Sequence, residues 1–317
     1  MILTNNRKIT VVYRDLKTNP DQAELLEFKD GKLPAYETIR DFINNRLTEE
    51  MEEELFNFLV KEIQFELKKY NETLGEETGE DSTPIQAKRY DKEAKYSKYY
   101  KMKGWKKDIT IDLKHKIPIA YSNLEINQDE AKCLIPSLEK FKKINIHCKL
   151  NKVDNGYSDL ENIAHAKMKY NTDLHYRIQE NWVMRTDGTK EEIKRIYQKH
   201  WQDENFRVTD DIDYMLRFLY NIGYFEAVGA YYRNQKMLDY QNEPLKNKKM
   251  INERSKSEWF NFYIKEHLGF DVILPKKGKK AAFRSTTMCL IGILTAALIR
   301  VQNGVTDNLG STVFLTS

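Results

Sequence analysis

Cysteine is scarce. The chain has 3, Cys133, Cys148 and Cys289, too few and too scattered for a disulfide framework or a structural zinc site. No Cys-x-x-Cys pair occurs, which makes a reducing cytosol the default. Histidine is scarce too, 6 in all; His115, His165, His175, His200 and His267 form no ligand spacing and read as structural or surface residues. No hydrophobic run is long. The most apolar stretch, residues 288–299, falls short of the ~20 residues of a spanning helix. It reads as a buried core helix. The start, Met1-Ile-Leu-Thr-Asn-Asn-Arg7, lacks the basic-then-apolar order of a signal peptide. A cytoplasmic chain with no membrane partner is therefore expected. Charge of one sign is also missing. Against 52 basic residues stand 48 acidic ones, a net charge of +4. That balance excludes both a disordered polyelectrolyte and nucleic-acid binding by gross charge, so a polyanion must meet a local basic patch.

What is present is a chain of 317 residues with 40% apolar content, enough for one large domain or two. Residues 1–70 read as a β-like piece at 9–13 followed by helices. Pro34 stands where a first helical turn tolerates it, and residues 49–70 are amphipathic through Leu55, Phe58, Leu59, Ile63 and Leu67. Two helices joined by a turn permit a truncated DNA-binding region, although no recognition helix declares itself. Residues 71–80 form a polar, acidic linker. Between Gln86 and Lys116 there are 11 Lys or Arg against 4 acids, interleaved with Tyr90, Tyr96, Tyr99, Tyr100 and Trp105. Such a mixture suits phosphates and unstacked bases, and equally suits a solvated loop.

Residues 106–121 read as a hairpin turning at His115-Lys116, because Ile109, Ile111 and Leu113 alternate. A helix at 127–141, a strand at 144–153 and a helix from Leu160 follow. The alternation predicts an α/β fold with a mixed sheet flanked by helices. Residues 159–222 are mostly helical, 224–232 read as a further strand, and 251–267 as a helix. Lys276, Lys277, Lys279, Lys280 and Arg284 form a basic segment before the buried helix. Trp182 and Trp201 read as packing residues.

Three acids stand at structural junctions. Asp154 follows an apolar strand and precedes Asn155-Gly156, where it either makes the turn or lies in the crevice beyond a strand's C-terminal end. Asp81 is placed at the start of the first sheet strand, with Asp108 and Asp112 as competitors from the hairpin. Glu258 shares a helix face with Arg254 and Lys265, four and seven residues away. This is either an intrahelical pair or a carboxylate ligand flanked by cations.

The segments Asp81-Ser-Thr83, Val153-Asp-Asn-Gly-Tyr-Ser-Asp-Leu-Glu-Asn162 and Asn252 to Lys265 resemble the DDE transposases of prokaryotic insertion sequences. The resemblance covers roughly residues 78–304. Asp154 matches the second-aspartate block, and the spacing of Arg254, Glu258 and Lys265 matches the Tyr-Arg-Glu-Lys signature, except that its tyrosine falls on Ile251. The resemblance implies an RNase H-like catalytic domain over 81–304 with a helical insertion at about 159–222, and a tail at 305–317. Asp81, Asp154 and Glu258 would be the catalytic acids and the ligands of two Mg²⁺ or Mn²⁺ ions. Arg254, Lys265, Lys276, Lys277, Lys279 and Lys280 would hold DNA. The partners implied are double-stranded transposon ends and target DNA, bound by a homodimer at the nucleoid. The alternatives are a derived DNA-binding protein without catalysis and a metal-dependent nuclease on the same fold.

Overall fold

A computed structural model describes residues 13–14, 17–18, 32–179, 181–245, 252, 255–268 and 278–311. It shows a mixed α/β fold, a curled sheet of 6 strands flanked by helices. The strands are β1 (Glu77–Gln86), β2 (Lys95–Ser97), β3 (Met102–Asp112), β4 (Ile117–Glu125), β5 (Leu150–Lys152) and β6 (Asp173–His175). β3 lies antiparallel to β1 on one side, while β4 and the short β2 share its other edge. On the far side of β1, β5 and then β6 add in parallel.

Nine helices are described: α1 (Tyr36–Asp41), α2 (Glu49–Lys68), α3 (Leu134–Lys143), α4 (Leu160–Tyr170), α5 (Lys190–Gln198), α6 (Ile212–Asn221), α7 (Phe225–Asn242), α8 (Ser255–Leu268) and α9 (Lys279–Gln302). Helix α9 is apolar and long enough to cross a membrane, but it is mostly buried, and Leu290, Ile293, Leu294 and Ala297 belong to the main core. Helix α2 packs along it and supplies Phe56, Val60, Ile63 and Leu67 to that core.

Several expectations need correction. The linker is shorter than 71–80, because Glu77–Glu80 already pair in β1. The helical N-terminal region is not set apart from the sheet domain: one continuous core includes α2. Nor is 305–317 a loose tail throughout, since Leu309 is fully buried in that core. Of residues 224–232, Tyr224 is the N-cap of α7 and 225–232 lie in it rather than in a strand; their apolar residues fit an amphipathic helix as well as a strand, and the helix buries Ala227, Val228 and Ala230. Of 144–153 only Leu150–Lys152 is strand. The insertion is not wholly helical, because β6 interrupts it and α4 serves as the crossover between two parallel strands. Insertion helices α5 and α6 then build a second, smaller core with α4 and α7 through Ile193, Tyr197, Leu216, Leu219 and Val228. The β-like piece at 9–12 lies outside the described residues, and Tyr13 is helical.

β3 is buried on both faces, as a central strand should be. One face is apolar apart from Lys107, whose ammonium donates to Thr286, Thr287 and the Phe283 carbonyl and lies 4.4 Å from the Tyr121 ring centroid. Burial outweighs these partners and pulls its pKa from 10.5 down to about 7. A depressed amine contributes stability above its unfolded pKa and loses it as pH falls towards the folded one. Stability should therefore rise between pH ~7 and ~10.5, by up to several kcal/mol at ~1.4 kcal/mol per unit. Lys107→Met should flatten that slope in urea titrations at pH 7 and 10. An unchanged slope would assign it to other groups.

Candidate active site

The opposite face of the sheet is polar but closed. Glu80 is fully buried; its carboxylate accepts from Ser137 at 2.9 Å and from Asn151 at 2.8 Å. Asp108 accepts from Ser82 at 2.9 Å and from the Tyr157 hydroxyl. Burial raises both carboxyls, Glu80 well above the ordinary range, and the nearby Asp108 charge raises Glu80 further. Asp112 accepts from the Gly75 and His115 amides and meets the His115 imidazole at 2.9 Å. The two competitor acids are thus internal groups with structural partners.

Asp81 points to the other face. It lies in the middle of β1, not at its start, because β1 begins four residues earlier. Helix α8 crosses this face. A Cβ on Gly79 would meet the Ser257 Cβ at 3.2 Å, and Asn261, one turn further along α8, donates to Asp81 Oδ2 at 2.8 Å. Phe260, Tyr263 and Ile264 anchor the helix in the core, leaving Glu258 on an exposed face.

Asp154 follows β5. The parallel register pairs Gly79 with Lys152; two residues further along each chain stand Asp81 and Asp154. Asp154 also makes the turn, accepting from the Asn155 amide at 2.7 Å. The two roles weighed for this residue coexist, since one carboxylate oxygen anchors the turn while the group faces solvent. Asp154 and Glu258 line a single cavity of about 380 Å³ with Val153, Asn155, Arg177 and Ser255. The structure therefore brings Asp154 and Glu258 to one cavity and ties Asp81 to the helix that carries Glu258. The three are not gathered as tightly as a loaded metal site: no group of three or more His, Cys, Asp or Glu is placed to hold an ion among the described residues. The donor set itself, all carboxylate oxygen, suits a hard cation such as Mg²⁺ or Mn²⁺.

The expected cations are dispersed. Lys265 is half-buried on α8, two turns beyond Glu258. Arg254, Lys276 and Lys277, with Ile251, lie outside the described residues. Lys279 and Lys280 are exposed at the start of α9, where the Gly278 and Lys279 amides donate to Asp91 and Glu93. The tyrosine- and lysine-rich stretch is only partly a surface. Trp105 and Lys107 are core residues and Lys106 is buried against Glu130 at 2.8 Å, whereas Tyr90, Tyr96 and Tyr99 are exposed. Trp201 is exposed too, contrary to the packing role expected of it.

Sequence reasoning missed Arg177, an exposed cation in the wall of the acidic cavity, and Asn261, which orients Asp81. Arg177 follows β6, a strand of three residues too short to be seen in the pattern; Asn261 lies three residues after Glu258 and was legible from helical spacing. No family model, curated protein or solved structure matches the chain.

Proposed function

We propose that the chain is a DNA transposase of the DDE kind. It cleaves transposon ends and joins them to target DNA by phosphodiester hydrolysis and transesterification, with Asp81, Asp154 and Glu258 as its acids. One observation carries the reading: Asp154 and Glu258, 104 residues apart in the chain, line one cavity next to the strand that bears Asp81. The sheet adds support. A first long strand flanked by an antiparallel hairpin on one side and two parallel strands on the other is the arrangement an RNase H-like domain calls for.

In this reading Asp81, Asp154 and Glu258 would hold Mg²⁺ or Mn²⁺, which when bound would supply activation of a water or DNA 3′-hydroxyl and stabilisation of the leaving oxygen. The remaining work falls to the chain's own groups. Asn261 fixes the rotamer of Asp81. The Asn155 amide fixes that of Asp154. Arg177 presents a guanidinium at the cavity wall, suited to a non-bridging phosphate oxygen. Lys265 continues the cationic path along α8. A homodimer on paired ends would expose two such sites to one target.

A second reading, a DNA-binding chain without catalysis, is favoured by the looseness of the acid trio. Gel shift and strand cleavage on the same duplex separate them. Binding with Mg²⁺- or Mn²⁺-dependent cleavage supports the enzyme; binding alone supports the second reading, and neither contradicts both. In the same assay, replacing Lys276, Lys277, Lys279 and Lys280 with glutamine should weaken binding and flatten its salt dependence, by about 0.9 in slope for each phosphate that is no longer neutralised. An unchanged slope would make the cluster a solvated segment.

A further inference from the structure

The segment that joins β1 to β3 through β2 carries a charge that neither the core nor the acidic cavity uses. Residues 88–103 hold 7 Lys or Arg against 2 acids. Both acids are turned to the start of α9, where Asp91 accepts from the Gly278 amide at 2.7 Å and Glu93 from the Lys279 amide at 2.9 Å. Arg89, Lys92, Lys95, Lys98 and Lys101 are exposed, and none of the five forms an ion pair among the described residues. Like charges gathered without counter-charges repel one another, and a polyanion relieves that repulsion. Tyrosines stand among the cations. Tyr90, Tyr96 and Tyr99 are 74%, 55% and 86% exposed, although tyrosine is ordinarily of intermediate burial.

The segment is anchored, so its exposed side chains stand on a fixed base. Ala94 belongs to the main core, and Asp91 is buried. Ser97 is buried too, and its hydroxyl accepts from the Tyr100 amide at 3.3 Å; the Tyr100 hydroxyl donates to Glu130 at 3.2 Å. Rings held this way offer flat faces at little cost in ordering. A DNA duplex presents phosphates but keeps its base faces stacked. An unpaired strand offers both a phosphate chain for the cations and open base faces for the rings. An acidic protein segment would match the charge and leave the rings without flat partners. We propose that this surface binds single-stranded DNA, with its backbone along the exposed cations and its bases on Tyr96 and Tyr99. Gln86, at the end of β1, is in register with Gly104, and Gly104 with Lys95. The surface therefore stands beyond the C-terminal end of β1, about 16 Å along that strand from Asp81. None of its residues lines the acidic cavity. The choice of DNA over RNA rests on the function proposed above; the choice of an unpaired strand rests on the tyrosines alone.

Fluorescence anisotropy of the full chain, with divalent metal chelated, tests it. A labelled oligothymidylate of about 20 nucleotides exceeds the ~4–16 that single-strand sites cover. It should bind at least about tenfold tighter than a duplex of the same length, the effect of one or two stacked bases. Tyr96→Ala with Tyr99→Ala should remove that preference, losing about tenfold or more for the strand and under about twofold for the duplex. Phenylalanine at both positions keeps the rings and should keep the preference. Glutamine in place of Lys95, Lys98 and Lys101 should weaken binding of the strand and lower its salt slope by about 0.7 for each phosphate no longer neutralised. Four results would each overturn the assignment: no binding, a duplex bound as tightly as the strand, alanine changes without effect, or an oligouridylate bound more tightly than the oligothymidylate. The assay involves no cleavage. A chain that binds the strand without cutting DNA keeps this inference and loses the catalytic one; a chain that cuts DNA with no preference for the strand does the reverse.

Discussion

Asp154→Asn is expected to abolish metal-dependent cleavage of DNA while leaving DNA binding intact. The change removes one negative charge from the proposed cage and preserves shape. Divalent ions are held against water by such charges, and loss of a single preorganised charge-stabilising group costs ~10²–10³ in rate. Loss of a carboxylate that would hold a metal ion should cost at least as much. Folding should change little: Asp154 is exposed, and the hydrogen bond from the Asn155 amide is kept by the asparagine oxygen. A stability change within ~0.5 kcal/mol is expected for such a surface site. Cleavage assays and gel shifts on one duplex, wild type beside variant, check it. Wild-type rates in the variant would remove Asp154 from the chemistry. Loss of binding together with loss of cleavage would mean that the residue positions the DNA instead.

Gly229→Ala should be a strongly damaging conservative change, at the point where α7 crosses α4. Helix α7 crosses α4 so closely at Gly229 that an added Cβ would stand 1.9 Å from the Leu160 carbonyl oxygen. That atom is backbone, so relief requires the two helices to separate rather than a side chain to turn. Overpacking of this kind typically costs 1–3 kcal/mol and occasionally more; here about 3 kcal/mol is expected. For a chain of 317 residues that corresponds to a fall in Tm of roughly 4–5 °C. The effect should reach the acidic cavity, because α4 begins just after the Asp154 turn. Thermal melts of the two proteins decide the matter, and a Tm shift under about 2 °C would contradict the close crossing.

The hairpin was legible because β3 and β4 carry alternating apolar residues and the 113–116 turn separates two strands of opposite direction, whereas Glu77–Glu80, polar and with a glycine, read as linker although they open β1. The short parallel strands were not. β5 and β6 have three residues each, too few for a period to register, and their identity is decided by neighbours far away in sequence. The misreading of 224–232 has a related cause: a dense run of Phe, Val, Tyr and Ala satisfies both periods until packing against α4 selects the helix. Among the acids, Asp154 and Glu258 were legible from turn and helix position. Asp81 could be preferred to Asp108 and Asp112 from sequence only because those two fall in the hairpin that follows the first strand. The structure separates them by face: Glu80 and Asp108 share one closed polar layer, whereas Asp81 points to α8. The basic stretch was overestimated because sequence cannot show that Lys106 and Lys107 turn inward.

The central claim is that Asp81, Asp154 and Glu258 form one metal site. Crystals of the chain soaked in Mn²⁺ and measured at the manganese absorption edge test it most directly. Two anomalous peaks ~3.5–4 Å apart, bounded by these three carboxylates and missing from Asp154→Asn crystals, are expected. Manganese absent from the cavity at millimolar concentration, or bound only elsewhere on the surface, would contradict it.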